Sequence, residues 1–514
     1  MQDVPNILGP DGNPIRQRRQ RKVAARYDAA QTSPGNELHW QWADNLDPNS
    51  ANSLAVRKKL RSRSRYEVVE NNPYLKGTLL TICNDFVGAG PKLQITDKRI
   101  SKERQRMIEK RWQAWTHAIR FRRKLWRMRM GKIVDGEGFM RAYNNIRTRH
   151  PIRLDFQVIE ADQVSSEDFS GSVQRDDSPY SQVDGVRFDK YDNPVQYHVL
   201  DFHPGGSSNL LFFNPATFGG KWVDAGNVVH WFRQDRGWLR GIPETTPSLP
   251  LCSILRRYTL ATLRNKEFAA DFAGVMETEG PPDPRVWTDG QGNLVDDDPF
   301  DTFPIQAGLF TTLPWGYKLK QLDAVPDGQA YDDFVASLLR EITRPLLSPY
   351  NISAGTSKDS NMASGVLDQQ IYRGGQEAER RDCEREVLDQ VLFSWWNEGT
   401  LTPGYFDDPV MGEADFIGAN PSLKMIPPDH VWRWDPVGVE HTDPTKVMGA
   451  LEIAHAAGFI TDRDIQEERF NRSVEDWQDD LREQQEFRAE VGMEVNPMPS
   501  MPVAPDDSEN ADEA

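Results

Sequence analysis

Apolar residues recur at three- and four-residue spacing over most of the chain, interrupted by one stretch of short alternating runs. Tyr331, Phe334, Val335, Leu338, Leu339 and Ile342 form one stripe, which predicts a helix from about residue 329 with Asp332 and Asp333 in its first turn. Pro345 lacks the amide hydrogen that the next turn needs and restricts Arg344 before it, so the helix should stop there. From Ser348 to Ser364 the residues are mostly small and polar, as in a loop that water can reach. The stripe then resumes with Cys383, Val387, Leu388, Val391, Leu392 and Trp395, predicting a second, longer helix to about Trp396.

The same reading extends in both directions. Leu54 to Arg65 reads as a basic helix, and Pro73 in the Asn71–Tyr74 stretch starts another that ends at the glycines of Val87–Pro91. Met107, Ile108, Trp112, Trp115 and Ile119 give the following basic element an apolar stripe, with its arginines expected to face outward. Between Gly136 and Arg233, short runs separated by Gly, Pro and Asn-Pro turns predict a mostly β segment. Helix returns from about Ser248 to Phe272, and a Pro/Gly/Asp-rich insertion, Pro281 to Pro326, separates it from the helix described first. Asp443 with Pro444, Gly458, and capping patterns at Thr461 and Ser473 mark three short C-terminal helices. The start of the chain, with its Arg16–Lys22 basic run, reads as an extended arm, and the acidic, proline-rich stretch beyond Gly492 as disordered. The fold class is α+β, without internal repeats.

Composition changes this picture in two ways. A chain of 514 residues should divide into two to four domains, and 38% hydrophobic residues with 15 tryptophans argue for a folded protein. The net charge of -17 conceals a division, because Lys98 to Lys132 holds 14 of the 61 Lys/Arg and 2 of the 78 Asp/Glu. The remainder has 47 basic and 76 acidic residues, a net of -29. Most of the surface should therefore repel a phosphate backbone. The basic element is expected either to face DNA or a partner, or to be solvated and paired with acidic neighbours; the acidic remainder favours the latter. No apolar run approaches the roughly 20 residues that span a bilayer, so a soluble, intracellular protein without a membrane partner is expected.

The patterns that carry chemistry are missing. No GxxxxGK loop is present to hold a nucleotide's phosphates, no HExxH to bind zinc, and Gly205–Asn209 lacks the last glycine of a nucleophile elbow. Cys83, Cys252 and Cys383 stand far apart and are expected to be buried apolar groups; His441 and His455 read as surface or core residues. Asp296, Asp297, Asp298 and Asp301 could hold metal only if they converged, and adjacent aspartates in a loop point apart. No enzyme, cofactor or metal is expected.

The order of several stretches resembles a known family. Asn71–Gln94, Trp112–Thr116, Asp135–Tyr143, Leu154–Val164, His230–Leu263, Tyr331–Gly355 and Trp432–Ile460 are similar, in this order, to the lambda-type portal proteins of tailed bacteriophages. The resemblance implies a subunit of a ring, typically a dodecamer, at one capsid vertex of the virion. Double-stranded DNA is packaged and later ejected through its channel. Implied partners are the terminase large subunit, a head-tail adaptor protein, and the major capsid protein or scaffold; synthesis would be in the host bacterial cytoplasm. The parts implied are an arm (1–53), a wing (54–245), a first stem helix (246–275), a clip (276–328) and a second stem helix (329–346). They continue with a tunnel loop (347–362), a long helix returning to the wing (363–435), a helical crown (436–490) and an acidic tail (491–514).

By the same resemblance, Ser353, Gly355, Thr356, Ser357, Lys358, Asp359 and Asn361 are the candidates to line the DNA channel. Arg122, Arg123 and Arg127 are the candidates for contact with acidic surface on the next subunit. The competing readings are another head-tail connector ring component and a metal-dependent DNA-processing enzyme using the aspartates near residue 297.

Overall fold

The computed structural model describes residues 37–166, 180–206, 219–271, 275–278, 317–320, 328–356, 361–406, 426–434, 444–462, 465–466 and 474–491. The chain divides into two units, Met1–Ala51 and Asn52–Ala514. The described part of the first holds a 3-10 turn and a single helical turn, α1 (Pro48–Ala51). The second mixes helix and sheet.

It begins with α2 (Leu54–Ser64), which runs into a π turn, Arg65–Asn71. In α3 (Pro73–Val87), Pro73 sits at the start and the Asn72 side chain accepts from Leu75 N. The strand β1 (Lys92–Ile95) precedes α4 (Lys102–Ala118) and α5 (Phe121–Asp135). Basic residues therefore occupy two helices, separated where Arg120 takes a left-handed conformation, φ 55°. Next come β2 (Glu137–Asn144), β3 (Leu154–Ile159), β4 (Ser181–Val183), β5 (Val186–Phe188), β6 (Pro194–Val199), β7 (Lys221–Asp224) and β8 (Val228–Phe232). These form two antiparallel sheets, ordered β3-β2-β8 and β4-β5-β6-β7.

The helix α6 (Leu249–Asp271) and the hairpin strands β9 (Val275–Thr278) and β10 (Tyr317–Lys320) lead to α7 (Gly328–Thr343). Because α7 starts at Gly328, Asp332 and Asp333 lie in its second turn, not its first. Its stripe is buried at Val335, Leu338, Leu339 and Ile342, whereas Phe334 is exposed at 44%. A short helix, α8 (Tyr350–Ala354), precedes α9 (Met362–Cys383); a π turn at Glu384–Leu388 joins α9 to α10 (Asp389–Leu401). The strand β11 (His430–Arg433) pairs antiparallel with β1, and α11 (Pro444–Ala456) and α12 (Val474–Val491) complete the described elements. With 18 residues, α12 is longer than the short helix expected.

Three apolar clusters hold these elements. The largest joins α4, α5, the β3-β2-β8 sheet and α10 through Trp112, Trp115, Trp395 and Trp396, with Trp432 from β11. Trp112 and Trp395 meet edge to face, 5.3 Å apart at 82°. A second packs α3 against α6, α7 and α9 through Leu79, Ile82, Cys252, Leu339 and Tyr372. The third lies under the four-stranded sheet at Phe139, Val186, Tyr197 and Val199. Cys83, Cys252 and Cys383 are free and buried, as expected. Among the described residues no helix is long and apolar enough to cross a membrane.

Trp395 is fully buried where α10 meets α4. Replacement Trp395→Ala should lower unfolding free energy by about 3–5 kcal/mol, read by denaturant titration.

Candidate functional site

Three places concentrate polar groups, and the first is wholly internal. Glu137, at the start of β2, is buried, and Arg240 places Nη2 2.6 Å from one carboxylate oxygen and Nε 2.9 Å from the other. Arg61 from α2 also bonds this carboxylate; His230 Nε2 lies 3.1 Å away, and Gly241 N donates at 3.1 Å. Burial alone would raise the Glu137 pKa, but the charges of Arg240 and Arg61 hold it well below the usual carboxylate range. His230, stacked between Phe139 and Phe232, is pushed down by burial despite its bond to Glu137. Asp184 adds a second internal carboxylate, 2.7 Å from Arg57 Nη2.

The backbone makes room for this cluster with glycine. A Cβ on Gly136 (φ 89°) would stand 2.1 Å from Ile242 C, and one on Gly241 2.2 Å from Gly136 O. The same chain crossing delivers Arg240 to Glu137. Arg57, Arg61, Arg129 and Lys132 are also buried, so the expectation that the arginines of the basic element face outward fails at Arg129, as it does at the buried Arg104. Arg129 Nη1 bonds Glu244 at 2.7 Å, and Lys132 Nζ bonds Glu379 and Asp382 at 2.8 and 3.1 Å. Compensating carboxylates explain how the interior tolerates them.

The second place is the segment after α7. Thr343 closes its helix by donating to Leu339 O; Arg344, Pro345 and Leu346 form a 3-10 turn, and Leu347 takes φ 53°. The residues that follow are not one open loop. Tyr350, Ile352 and Ala354 pack against the second apolar cluster, which turns Tyr350–Ala354 into helix. Ser353 is consequently buried, and its hydroxyl donates to Pro349 O at 3.1 Å. Gly355 (φ 65°) ends this helix, and Thr356 is exposed. Asn361 is exposed and caps α9, its side-chain oxygen accepting from Ser364 N at 2.8 Å. Ser357, Lys358 and Asp359 lie outside the described residues.

The third place is a recess of about 600 Å³ between the α4–α5 turn and the β2–β3 hairpin. Arg123 and Arg127 line it with Arg120, Lys124, Arg147 and Arg149; Arg122 instead donates to Gly88 O at 2.7 Å. Asp155 is the carboxylate in this lining, and it is already bonded by Lys124, Tyr143 and Asn145. Of these, the sequence had singled out Arg123 and Arg127 but not Arg147 and Arg149, which the hairpin brings across from twenty or more residues away.

The family model described as phage portal protein, lambda family, matches residues 36–365. The chain belongs to this family. It is a phage portal protein, of a structural rather than enzymatic family. Among solved structures, this portal chain is similar to a chain in the neck of an empty GTA particle computed with C6 symmetry, at 13% identity and TM-score 0.41. It is also similar to chains in the virion of the native gene transfer agent (GTA) particle, at 13% and 0.38, and in the neck of the native GTA particle computed with C12 symmetry, at 12% and 0.39. Each likeness covers 79% of this chain and 92% of the other. No curated protein matches it.

Among the described residues of the portal chain no group of His, Cys, Asp or Glu is arranged to hold a metal ion. Asp296, Asp297, Asp298 and Asp301 lie outside them, as does His441. His455 is an exposed histidine facing Asp462 at 3.0 Å.

Two measurements address the Glu137 cluster. Glu137→Gln strands Arg61 and Arg240 and should cost about 3–5 kcal/mol in denaturant unfolding. The pH dependence has a definite sign. A depressed Glu137 contributes full stability above the ordinary glutamate pKa and loses it as pH falls from there through the folded value. His230, held neutral, is lost in the same direction, because the unfolded chain takes up the proton first below about pH 6.5. Unfolding free energy measured from pH 7 to pH 3 should therefore fall, with a shallower slope in Glu137→Gln.

Proposed function

We propose that the chain closes into a ring, typically of twelve copies, at the capsid vertex and forms the channel through which double-stranded DNA is packaged and ejected. What supports this reading is the lambda-family match, which spans both helices of an antiparallel pair and the segment inserted between them. Ser248 at the start of α6 donates to Ile342 O near the end of α7, at 2.6 Å. Farther along, Tyr258 and Tyr331 stack at 5.6 Å. The pair is the stem, 276–328 the clip, 54–245 the wing, and the C-terminal helices the crown. Terminase and the head-tail adaptor dock on the assembled ring, and capsid protein or scaffold surrounds it.

In this assembly the segment from Gly355 to Asn361 faces the channel. Gly355, Thr356 and Asn361 offer it small neutral groups, and Lys358 and Asp359 cancel in charge. Ser353 points away from it into the fold and acts as support. A lining of this kind lets phosphates pass, whereas a ring of unpaired arginines would retain them in a salt-dependent way. Arg123 and Arg127 face the neighbouring copy, with Arg122 bracing the loop at Gly88.

Native mass measurement with negative-stain imaging tests the assembly. Twelve times 58.7 kDa, about 704 kDa, with a central hole is the expected result. A chain that stays monomeric with capsid proteins present would refute it. In a packaging assay, Thr356→Arg should slow DNA uptake, and raising salt should relieve the defect.

A further inference from the structure

Several basic side chains of α4 and α5 pair with carboxylates of this chain. Arg106 reaches Asp479 at 3.1 Å, Lys124 bonds Asp155, Arg129 bonds Glu244, and Lys132 bonds Glu379 and Asp382. Arg120, Arg123 and Arg127, with Arg147 and Arg149 of the hairpin, have no ion-pair partner among the described residues, although all five are exposed around one recess. Five guanidinium groups facing a shared concavity repel one another at no benefit to the isolated chain. Their arrangement is complementary to a cluster of anionic groups that arrives from outside.

We propose that the recess is an assembly site that takes exposed carboxylates of a second copy of this chain. Charge complementarity selects this occupant. Outside Lys98–Lys132 each copy carries a net charge of -29, so a neighbour presents an excess of carboxylates. A DNA duplex fits less well. It is a stiff rod too broad to enter a recess of about 600 Å³. Side chains from one helix turn or loop can enter. Each guanidinium then forms a forked pair with a carboxylate, and Tyr143 and Asn145 keep Asp155 engaged beneath them. The inference rests on the ring reading only in requiring a neighbouring copy.

The experiment compares the full chain with Arg123→Glu/Arg127→Glu/Arg149→Glu by sedimentation over a concentration series. Thermal melting checks the fold, and fluorescence anisotropy measures binding to a short DNA duplex at the same salt. Expected are an unchanged melt, self-association weaker by about tenfold or more, and unchanged duplex affinity. Unchanged association, or any loss of duplex affinity, overturns the assignment, as does a wild-type chain that never associates. Should the triple reversal unfold the chain, Arg123→Gln/Arg149→Gln is read by the same criteria. Charge-dependent association into something other than a ring with a hole would leave the recess standing and remove the channel reading.

Discussion

A carboxylate sealed inside the fold is tolerable only if cations are sealed in with it, and Glu137 imposes that condition on four separate parts of the chain. Arg61 comes from α2, His230 from β8, Arg240 from the loop before α6, and Glu137 itself from β2. Desolvating one ion costs several kcal/mol, so no one of these elements can shift without exposing the charges of the others to a medium that cannot solvate them. Such a pair adds little stability over an apolar replacement. What it adds is register, because only one placement of α2 and the 240–242 loop satisfies the carboxylate. The close approach of Gly136 and Gly241 expresses the same demand in the backbone.

A second division of charge follows along α4 and α5. Arg129 and Lys132 turn inward toward carboxylates of the 244 loop and α9, tying the basic element to that long helix. Arg120, Arg123 and Arg127 turn outward at the left-handed break between the two helices. One basic stretch thus fixes the fold with one set of side chains and leaves another set exposed around the recess. Like chains carrying -17 each repel one another at long range, so any contact between copies favours a place where opposite charges meet.

Periodicity made most helices and strands legible. The Val335–Ile342 stripe, the Asn72–Pro73 helix start and the run from Cys383 to Trp395 all pack as their spacing required. It could not reveal that Arg57, Arg61 and Arg129 are internal, because a charged residue on a helix reads as outward unless its partner is known, and the partners lie far away in sequence. Arg147 and Arg149 escaped for the same reason, as their place beside Arg123 depends on how the hairpin folds over α5. The stretch after Ser348 misled by composition: its polar residues suggested open loop, whereas Tyr350, Ile352 and Ala354 bury enough apolar surface to form a turn of helix.

That short helix fixes one end of the connection between α7 and α9. By anchoring Tyr350 to Ala354 in the same cluster as α7, the fold leaves only the few residues from Gly355 to Asn361 between two fixed ends. Arg340 over the Tyr350 ring, 4.7 Å from its centroid, ties the near end to α7, and the Asn361 cap ties the far end to α9. Both ends of this connection are thus set by contacts with α7 and α9 that the polar composition of the stretch did not disclose.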